Sequence, residues 1–250
     1  MTDPFIIAAI ALVFLFAGGI KGVIGLGLPT VSLGLLAIFL DLTTAMALLT
    51  MPAAATNVWQ AAVGGNARMI LRRLWPFMVA ATVTVWLGAM ALTRVDLALL
   101  SALLGLILVV YSGLGLGGWR FAVPMRAERW AGPLLGSVNG ILTGMTGSFV
   151  VPGIMYLQAM GLSRDALVQA MGFLFCASAL ALAAALGGSG LFPRETGIVS
   201  AGALVPALIG MAIGQRVRRR LSEERFRRVF FVGILALGAY IFAAAVLQRW

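Results

Sequence analysis

The sequence has no histidine, a single cysteine and only eight carboxylate side chains in 250 residues. Without imidazole there is no histidine-containing metal cluster, no histidine-ligated haem and no serine–histidine catalytic triad. The lone Cys176 excludes a disulfide framework. Charged residues make up only 10% of the chain, whereas soluble domains carry about 25%. The chain therefore lacks both the usual metal or triad chemistry of soluble enzymes and the charge of a water-exposed surface.

The residues that are present indicate a membrane protein. Hydrophobic residues make up 62% of the chain, and glycine is frequent at 31 residues. At roughly 20 residues per crossing plus a short connection, the length accommodates about ten helical spans and leaves no room for a soluble domain. We therefore predict an all-α polytopic membrane protein, with the lipid bilayer as its surroundings and with helices packed through small residues.

The apolar runs between helix breakers predict ten segments, at residues 5–20, 29–40, 43–64, 74–93, 97–117, 130–144, 149–160, 165–187, 197–215 and 229–247. Arginine and lysine accumulate in short cytoplasmic loops. Most arginine-bearing loops, including the cluster at 216–228, fall on the cytoplasmic side if both termini are on the non-cytoplasmic side. We predict that topology in the cytoplasmic (inner) membrane. A solvated loop that fixes topology explains the basic cluster, so we predict no nucleic-acid partner.

The two halves of the chain resemble one another. KGVIG at 21–25 matches NGILTG at 139–144, WLGAMAL at 86–92 resembles LIGMAIG at 208–214, and GLILVVY at 105–111 resembles GILALGAY at 233–240. These matches keep a common order. Because each half, 1–118 and 119–250, has five segments, the second repeat must be inverted in the membrane. Inverted repeats are typical of secondary transporters.

The first two segments of each half are too short for two full crossings. The stretches from Phe5 to Leu40 and from Trp130 to Met160 provide less helix than two passages through a core of about 30 Å plus a turn require. We therefore predict broken or re-entrant hairpins at segments 1/2 and 6/7, with turn one at 25–30 and turn two at 144–148. Irregular backbone at membrane depth is tolerated where it is buried in protein or lines a cavity.

The composition of these turns favours an anion site. Glycine allows close approach of the backbone to a ligand, and a helix that begins inside the membrane directs unpaired N–H groups and a positive dipole end at the cavity. Hydroxyl side chains add donors. The candidate residues from the two turns are Gly25, Gly27 and Thr30 in the first, and Gly144, Thr146, Gly147 and Ser148 in the second.

Lys21 is the only lysine in the chain and lies four residues before the first turn. An ionisable residue inside a bundle is a functional-site hypothesis, although a lysine at a helix end can also extend its ammonium to the interface. Other polar residues within predicted spans would line the path or form interhelical hydrogen bonds. They are Asn57 and Gln60 beside Thr56, Asn139 and Thr143 on one face of segment six, and Gln158 and Gln169 near segments seven and eight.

Three stretches resemble the sulfite exporter (TauE/SafE) family of membrane transporters. They are KGVIGLGLPTVSLGLL in the first half, PAAATNVWQA at 52–61, and NGILTGMTGSFVVPGIMYLQAMGL in the second half. The resemblance covers nearly the whole chain. It implies movement of small sulfur oxyanions or organosulfonates, such as sulfite, thiosulfate or sulfoacetate, across the cytoplasmic membrane.

The combined prediction is a secondary transporter for a small anion that works by alternating access, without a cofactor or a metal and without enzymatic activity. No carboxylate lies well inside a predicted span to act as a proton relay. The coupling ion therefore stays open between a proton carried by the substrate and sodium bound at backbone carbonyls, with facilitated diffusion as a third alternative. Two alternatives stay open: an intramembrane enzyme, and a non-transporting membrane partner or assembly protein that docks through its basic cytoplasmic loop. The particular anion, the direction of transport and the oligomeric state do not follow from the sequence.

Overall fold

The computed structural model describes residues 3–118, 122–218 and 222–247. Over these ranges the chain is helical and contains no β-strand. The helices are α1 (Pro4–Ile24), α2 (Leu28–Leu36), α3 (Leu42–Ala62), α4 (Ala67–Val83), α5 (Val85–Ala89), α6 (Leu97–Gly117), α7 (Met125–Thr146), α8 (Gly153–Ala159), α9 (Arg164–Gly188), α10 (Arg194–Arg218) and α11 (Glu223–Leu247). The 3-10 turn Met90–Thr93 extends α5.

Six stretches are long and apolar enough to cross a membrane, which confirms an all-α, multi-pass membrane protein. They are Pro4–Ile24, Ala67–Thr93, Leu97–Gly117, Arg164–Gly188, Arg194–Arg218 and Glu224–Leu247. Helices α3 and α7 match them in length, with 21 and 22 residues. They fall short in hydropathy because polar residues and glycines lie within them. These two helices carry most of the polar candidate residues.

The helix boundaries differ from the predicted segments at several ends, because α4 begins at 67 instead of 74, α11 begins at 223 instead of 229, and α2 ends at 36 instead of 40. Helix α7 runs through Gly144 and ends at Gly147, which has a φ of 73° and donates its N–H to Thr143 O at 2.8 Å. The left-handed residue that ends the helix is therefore Gly147, and the turn begins there instead of at Gly144. Helix α8 covers 153–159, a shorter stretch than the predicted 149–160. Two predictions include residues outside the described ranges: the boundary between the halves at 118/119, and the centre of the basic loop at 216–228.

Each of two long helices is followed by a short one. Helix α1 ends at Gly25, with φ 80°, and α2 begins after Gly27, with φ 105°. At a rise of about 1.5 Å per residue, the nine residues of α2 span about 13 Å and the seven of α8 about 10 Å. Neither short helix reaches across a hydrocarbon core of about 30 Å.

Glycine seams join helices from the two ends of the chain. Gly18 and Gly22 of α1 lie directly against the carbonyl oxygens of Ala207 and Met211 in α10. In the same manner, α7 packs on α4 and α5, with Gly140 against Ala81 O and Gly144 against Val85 O. A Cβ at any of these glycines would collide with backbone. The structure thus places Gly144 in a helix seam and gives it a packing contact.

A hydrogen bond from α10 stabilises an irregularity in α3. Pro52 lies inside α3 and has no N–H, so the carbonyl of Leu48 loses its ordinary partner four residues on. Ser200 Oγ donates to that carbonyl at 2.7 Å and accepts from Met51 N at 3.3 Å. The Ser200 side chain is fully buried. Ser200 therefore satisfies the backbone group that Pro52 leaves free.

Replacing Ser200 with alanine is expected to destabilise the protein by about 1–2 kcal/mol, because the Leu48 carbonyl loses its donor. The loss should shrink in a Pro52→Ala background, where the helix supplies the missing N–H itself. Thermal unfolding in detergent of the two single variants and the double variant measures this coupling. An equal loss in both backgrounds would show that Ser200 does not act on the proline site.

Candidate functional site

Lys21 lies inside the protein, one helical turn before the end of α1. Its side chain is 4% exposed, so it does not extend to the surface. Lys21 Nζ donates to Asn57 Oδ1 and, at 3.1 Å, to Thr56 Oγ1. Both acceptors belong to α3. The structure therefore joins Lys21 to two of the polar residues that the sequence placed within segment three.

The backbone of α3 fixes the orientation of these two acceptors. Thr56 Oγ1 donates to Pro52 O at 2.7 Å, and Asn57 Nδ2 donates to Ala53 O at 2.8 Å. Each side chain uses its donor on its own helix and presents an oxygen to Lys21. Cys176 of α9 lies near Lys21. The site thus contains one basic side chain and a cradle on α3, meaning the neutral, fixed oxygens of Thr56 and Asn57 that accept its hydrogen bonds.

No carboxylate faces Lys21 in the part of the chain that the structure describes. An ammonium has three N–H donors, and the described residues give Lys21 two acceptors. The carboxylates lie at helix starts or pair elsewhere: Asp3 and Asp41 cap α1 and α3, Asp96 caps α6, Glu128 pairs with Arg73, and Asp165, Glu195 and Glu224 stand in first turns. Charge on Lys21 is therefore not balanced by any of the acidic side chains that the structure describes.

A second polar cluster surrounds the end of α7. Asn139 Oδ1 accepts from Gly153 N at 2.9 Å, and Thr143 Oγ1 donates to Ser148 O at 3.0 Å. Asn139 Nδ2 and Ser148 Oγ have no hydrogen-bond partner among the described residues, and both side chains are at most 2% exposed. A buried donor without an acceptor costs about 1–3 kcal/mol. The cluster consequently holds two donors suited to a polar ligand.

The other candidate residues divide between open and packed positions. The space beside Gly25 is open, whereas Gly27 lies against the ring of Phe230. Gly147 lies against Met46, which brings the second turn to α3. Thr146 Oγ1 donates to Leu142 O at 2.7 Å and accepts from Ser148 N at 3.2 Å, so it closes the end of α7. Thr30 is buried in the first turn of α2.

Gln60 and Gln169 bind helices together. Gln60 Nε2 donates to Val168 O at 2.8 Å, and Gln169 Nε2 donates to Ala61 O at 2.7 Å. Gln169 Oε1 also accepts from Asn66 N at 2.8 Å. These reciprocal bonds link the end of α3 to the start of α9. For Gln60 the structure provides the interhelical hydrogen bond that the sequence analysis kept as an alternative to lining.

A cavity of about 560 Å³ adjoins the first turn. The ends of α1 and α6 and the starts of α9 and α11 meet around it, with α8 at one side. It is lined by Ile24, Leu26, Tyr111, Leu114, Gly115, Gly118, Met155, Gln158, Arg164, Leu167, Val168, Met171, Arg227, Phe230 and Phe231. Ile24 is less than one helical turn from Lys21. The cavity thus approaches the buried lysine, and two arginines lie in its wall.

Sequence reasoning missed three features of this region. The cavity, with its basic residues Arg164 and Arg227, depends on helix ends that are far apart in sequence. Ser178 has a buried hydroxyl without a partner among the described residues, and its position as a lone hydroxyl in an apolar stretch was a usable signal. Ser200 gave no local signal, because its partner carbonyl is on another helix.

Comparison with known proteins gives one family match. The family model described as "Sulfite exporter TauE/SafE" matches residues 10–241. No curated protein and no solved structure matches the chain.

Proposed function

Because the chain belongs to the TauE/SafE sulfite exporter family, we propose that it is a secondary transporter that moves a small sulfur oxyanion or organosulfonate across the cytoplasmic membrane. Membership supports a membrane transporter of sulfur anions and agrees with the expectation that the chain is not an enzyme. Sulfite, thiosulfate and sulfoacetate are the substrates that we propose, with alternating access as the mechanism.

The observation that carries this proposal is the buried Lys21. Its ammonium reaches two neutral oxygens, from Thr56 and Asn57, and no carboxylate in the described residues. A charge in a low-dielectric interior is strongly destabilised unless an opposite charge compensates it. An oxyanion would supply that charge and accept the remaining N–H. The lysine therefore gives the site a preference for anions.

Groups at both turns would complete the coordination. Helix α2 starts within one turn of Gly25, and its first N–H groups and its dipole favour a negative charge. Asn139 Nδ2 and Ser148 Oγ are buried donors that still need acceptors. A sulfonate or sulfite group offers several oxygens on one small centre, which suits several donors and one cation.

The helix packing supports an inverted repeat of 1–118 and 119–250. In that arrangement α1 corresponds to α7, and α10 corresponds to the α4–α5 segment. Helix α1 packs on α10 through glycines, and α7 packs on α4–α5 through glycines. The proposed symmetry converts one seam into the other. If the two repeats exchange their conformations, the protein opens to one side of the membrane and then to the other, as alternating access requires.

We assign the cavity beside turn one to the cytoplasmic side, with both termini on the opposite side. The ends of α1 and α6 and the starts of α9 and α11 share this cavity, as a topology with alternating directions requires. Arg164 and Arg227 would attract anions to its mouth, since like-signed groups in a cleft focus the electric field. The anion would then pass turn one and reach Lys21.

Replacing Arg227 with glutamine is expected to raise the KM for anion uptake about 3- to 10-fold and to weaken its dependence on ionic strength. The kcat should stay within about twofold, because Arg227 is exposed, whereas the proposed binding site at Lys21 is buried. Arg68→Gln is the matched control, since it removes one exposed charge from a separate surface groove. Equal effects of both variants would assign the change to net charge and not to the cavity.

The experiment that tests the function is uptake of labelled sulfite, thiosulfate and sulfoacetate into proteoliposomes that contain the purified protein. Saturable uptake of at least one of them, inhibited by the unlabelled anion, is expected. A variant in which Arg216 and Arg218 become glutamine should retain uptake, whereas an assembly protein that docks through this loop would lose its partner. Absence of uptake by folded protein for all three anions would contradict the proposal.

A further inference from the structure

We propose that Lys21 carries a proton together with the anion, so that one proton and one anion cross the membrane in the same direction. This inference rests on the proposed anion site, and it names the coupling ion for that site. It follows from the number and chemistry of the groups that surround the Lys21 nitrogen.

The protein environment of Lys21 matches a neutral amine. A neutral primary amine has two N–H donors, and the described residues provide two acceptors, Asn57 Oδ1 and Thr56 Oγ1. The protonated form has a third N–H. That third donor needs an acceptor which the described residues do not provide. The amine is thus satisfied by the protein alone, whereas the ammonium requires an additional, preferably negative, partner.

The charges around Lys21 agree with this assignment. Of the helices near the Lys21 side chain, α3 contributes Thr56 and Asn57, and α9 contributes the Cys176 thiol. Helix α2 contains no ionisable side chain. Helix α10 meets α1 at Gly22 through backbone, and its own ionisable side chains lie in its first and last turns: Arg194 and Glu195 at one end, and the exposed Arg216 and Arg218 at the other. None of these groups supplies a buried negative charge to Lys21.

The free energy of burial links the proton to the anion. An unpaired ammonium inside the protein is expensive, and an anion without a cation beside it is expensive as well. Bound together, they form a pair of low net charge. Each ligand therefore strengthens the binding of the other, and this linkage is reciprocal.

The transport cycle then balances without another carrier. On the loading side the Lys21 amine takes one proton from water and binds the anion as an ammonium–anion pair. After reorientation the anion leaves, the proton returns to water on the opposite side, and the amine again donates to Asn57 and Thr56. One proton crosses with one anion in each cycle. A singly charged anion and its proton would cross together with no net charge. Thiosulfate, which carries two negative charges, would cross with one proton and a net charge of −1.

None of the described carboxylates is placed to carry a proton through the bundle. Each lies at a helix start or pairs at the periphery, as Glu128 does with Arg73. Proton carriers in membrane proteins are ionisable groups inside the bundle. Lys21 meets that condition with 4% exposure.

The test uses wild-type protein in proteoliposomes and labelled thiosulfate, which stays ionised over the neutral pH range, so that its own protonation cannot carry a proton. Uptake from an acidic exterior into a more alkaline interior should exceed uptake at equal pH by about tenfold, and a trapped pH dye should show acidification that follows the thiosulfate. Exchange of labelled for unlabelled thiosulfate at equal pH is measured in the same vesicles. Exchange without any response to the gradient would overturn proton coupling and leave the anion transporter standing. No exchange of thiosulfate, and none of sulfite or sulfoacetate either, would overturn the anion transporter, and proton coupling with it.

Lys21→Arg provides a second measurement. A guanidinium keeps its charge throughout the cycle, so the empty carrier cannot return as a neutral form. Net uptake should fall at least about tenfold more than exchange does. Equal falls in net uptake and exchange would overturn Lys21 as the proton carrier.

Discussion

Replacing Lys21 with glutamine is expected to lower the uptake of sulfur oxyanions by about 100-fold or more, because loss of a buried, hydrogen-bonded charge from an anion site costs about 2–5 kcal/mol. Glutamine can still donate to Asn57 Oδ1 and Thr56 Oγ1, so the cradle on α3 keeps a partner. The fold should persist, since a neutral amide is easier to bury than an unbalanced ammonium. Uptake into proteoliposomes and thermal unfolding in detergent measure the two effects separately.

Arg94→Gln is the matched control for this substitution. It removes one positive charge at an exposed position just after the 3-10 turn, away from the α1–α3 contact. Its uptake should stay close to wild type. If Lys21→Gln also retains uptake, then Lys21 is a structural residue and the anion site lies elsewhere. If it unfolds, the thermal measurement will report that directly.

Replacing Gly210 with alanine should have the largest effect on stability. An added Cβ would meet the Leu15 carbonyl directly and Gly19 N at 2.9 Å, both of them backbone atoms of α1. Backbone cannot rotate away as a side chain can, so α1 and α10 must separate. We expect a loss of about 2–3 kcal/mol, at the upper end of ordinary overpacking. Thermal unfolding in detergent measures it, and anion uptake should decrease with it because α1 carries Lys21.

Gly202→Ala separates this packing effect from helix propensity. Gly202 is also within α10, but no atom lies within 4 Å of a Cβ at that position. Alanine there should be neutral or slightly stabilising, since alanine has a higher helix propensity than glycine. Similar stability of the two variants would mean that the α1–α10 seam is not tightly packed.

The first hairpin could be predicted well from the sequence because its signals are local. Gly25 and Gly27 adopt φ values of 80° and 105°, which other residues rarely adopt, and Pro29 fits the first turn of α2. Of the two places that the sequence left open for Lys21, inside the bundle or at the interface, the structure has the buried one. Its role in binding stays a prediction.

The second hairpin shows where local signals are insufficient. Glycine is required both where backbone turns left-handed and where two helices touch, and the sequence does not distinguish these causes. Gly147 has the left-handed backbone, whereas Gly144 faces Val85 O within α7. The predicted start of the turn at Gly144 was therefore wrong by three residues.

Contacts between distant residues could not be predicted either. Helical periodicity placed Asn57 on a polar face but gave no indication that Lys21 would donate to it. Gln60 pairs with the backbone of Val168, which is 108 residues away. Such partners depend on how helices from both halves pack. The cavity beside turn one has the same origin, since five helices form it.

The most direct test of the central claim is counterflow in proteoliposomes loaded with unlabelled thiosulfate and placed in a trace of labelled thiosulfate. The account predicts transient accumulation of label that is saturable, is absent from protein-free vesicles and is lost with Lys21→Gln. Accumulation that is equal in wild-type and Lys21→Gln vesicles would contradict a site at Lys21. No accumulation by folded wild-type protein, with sulfite or sulfoacetate in place of thiosulfate as well, would contradict an anion transporter.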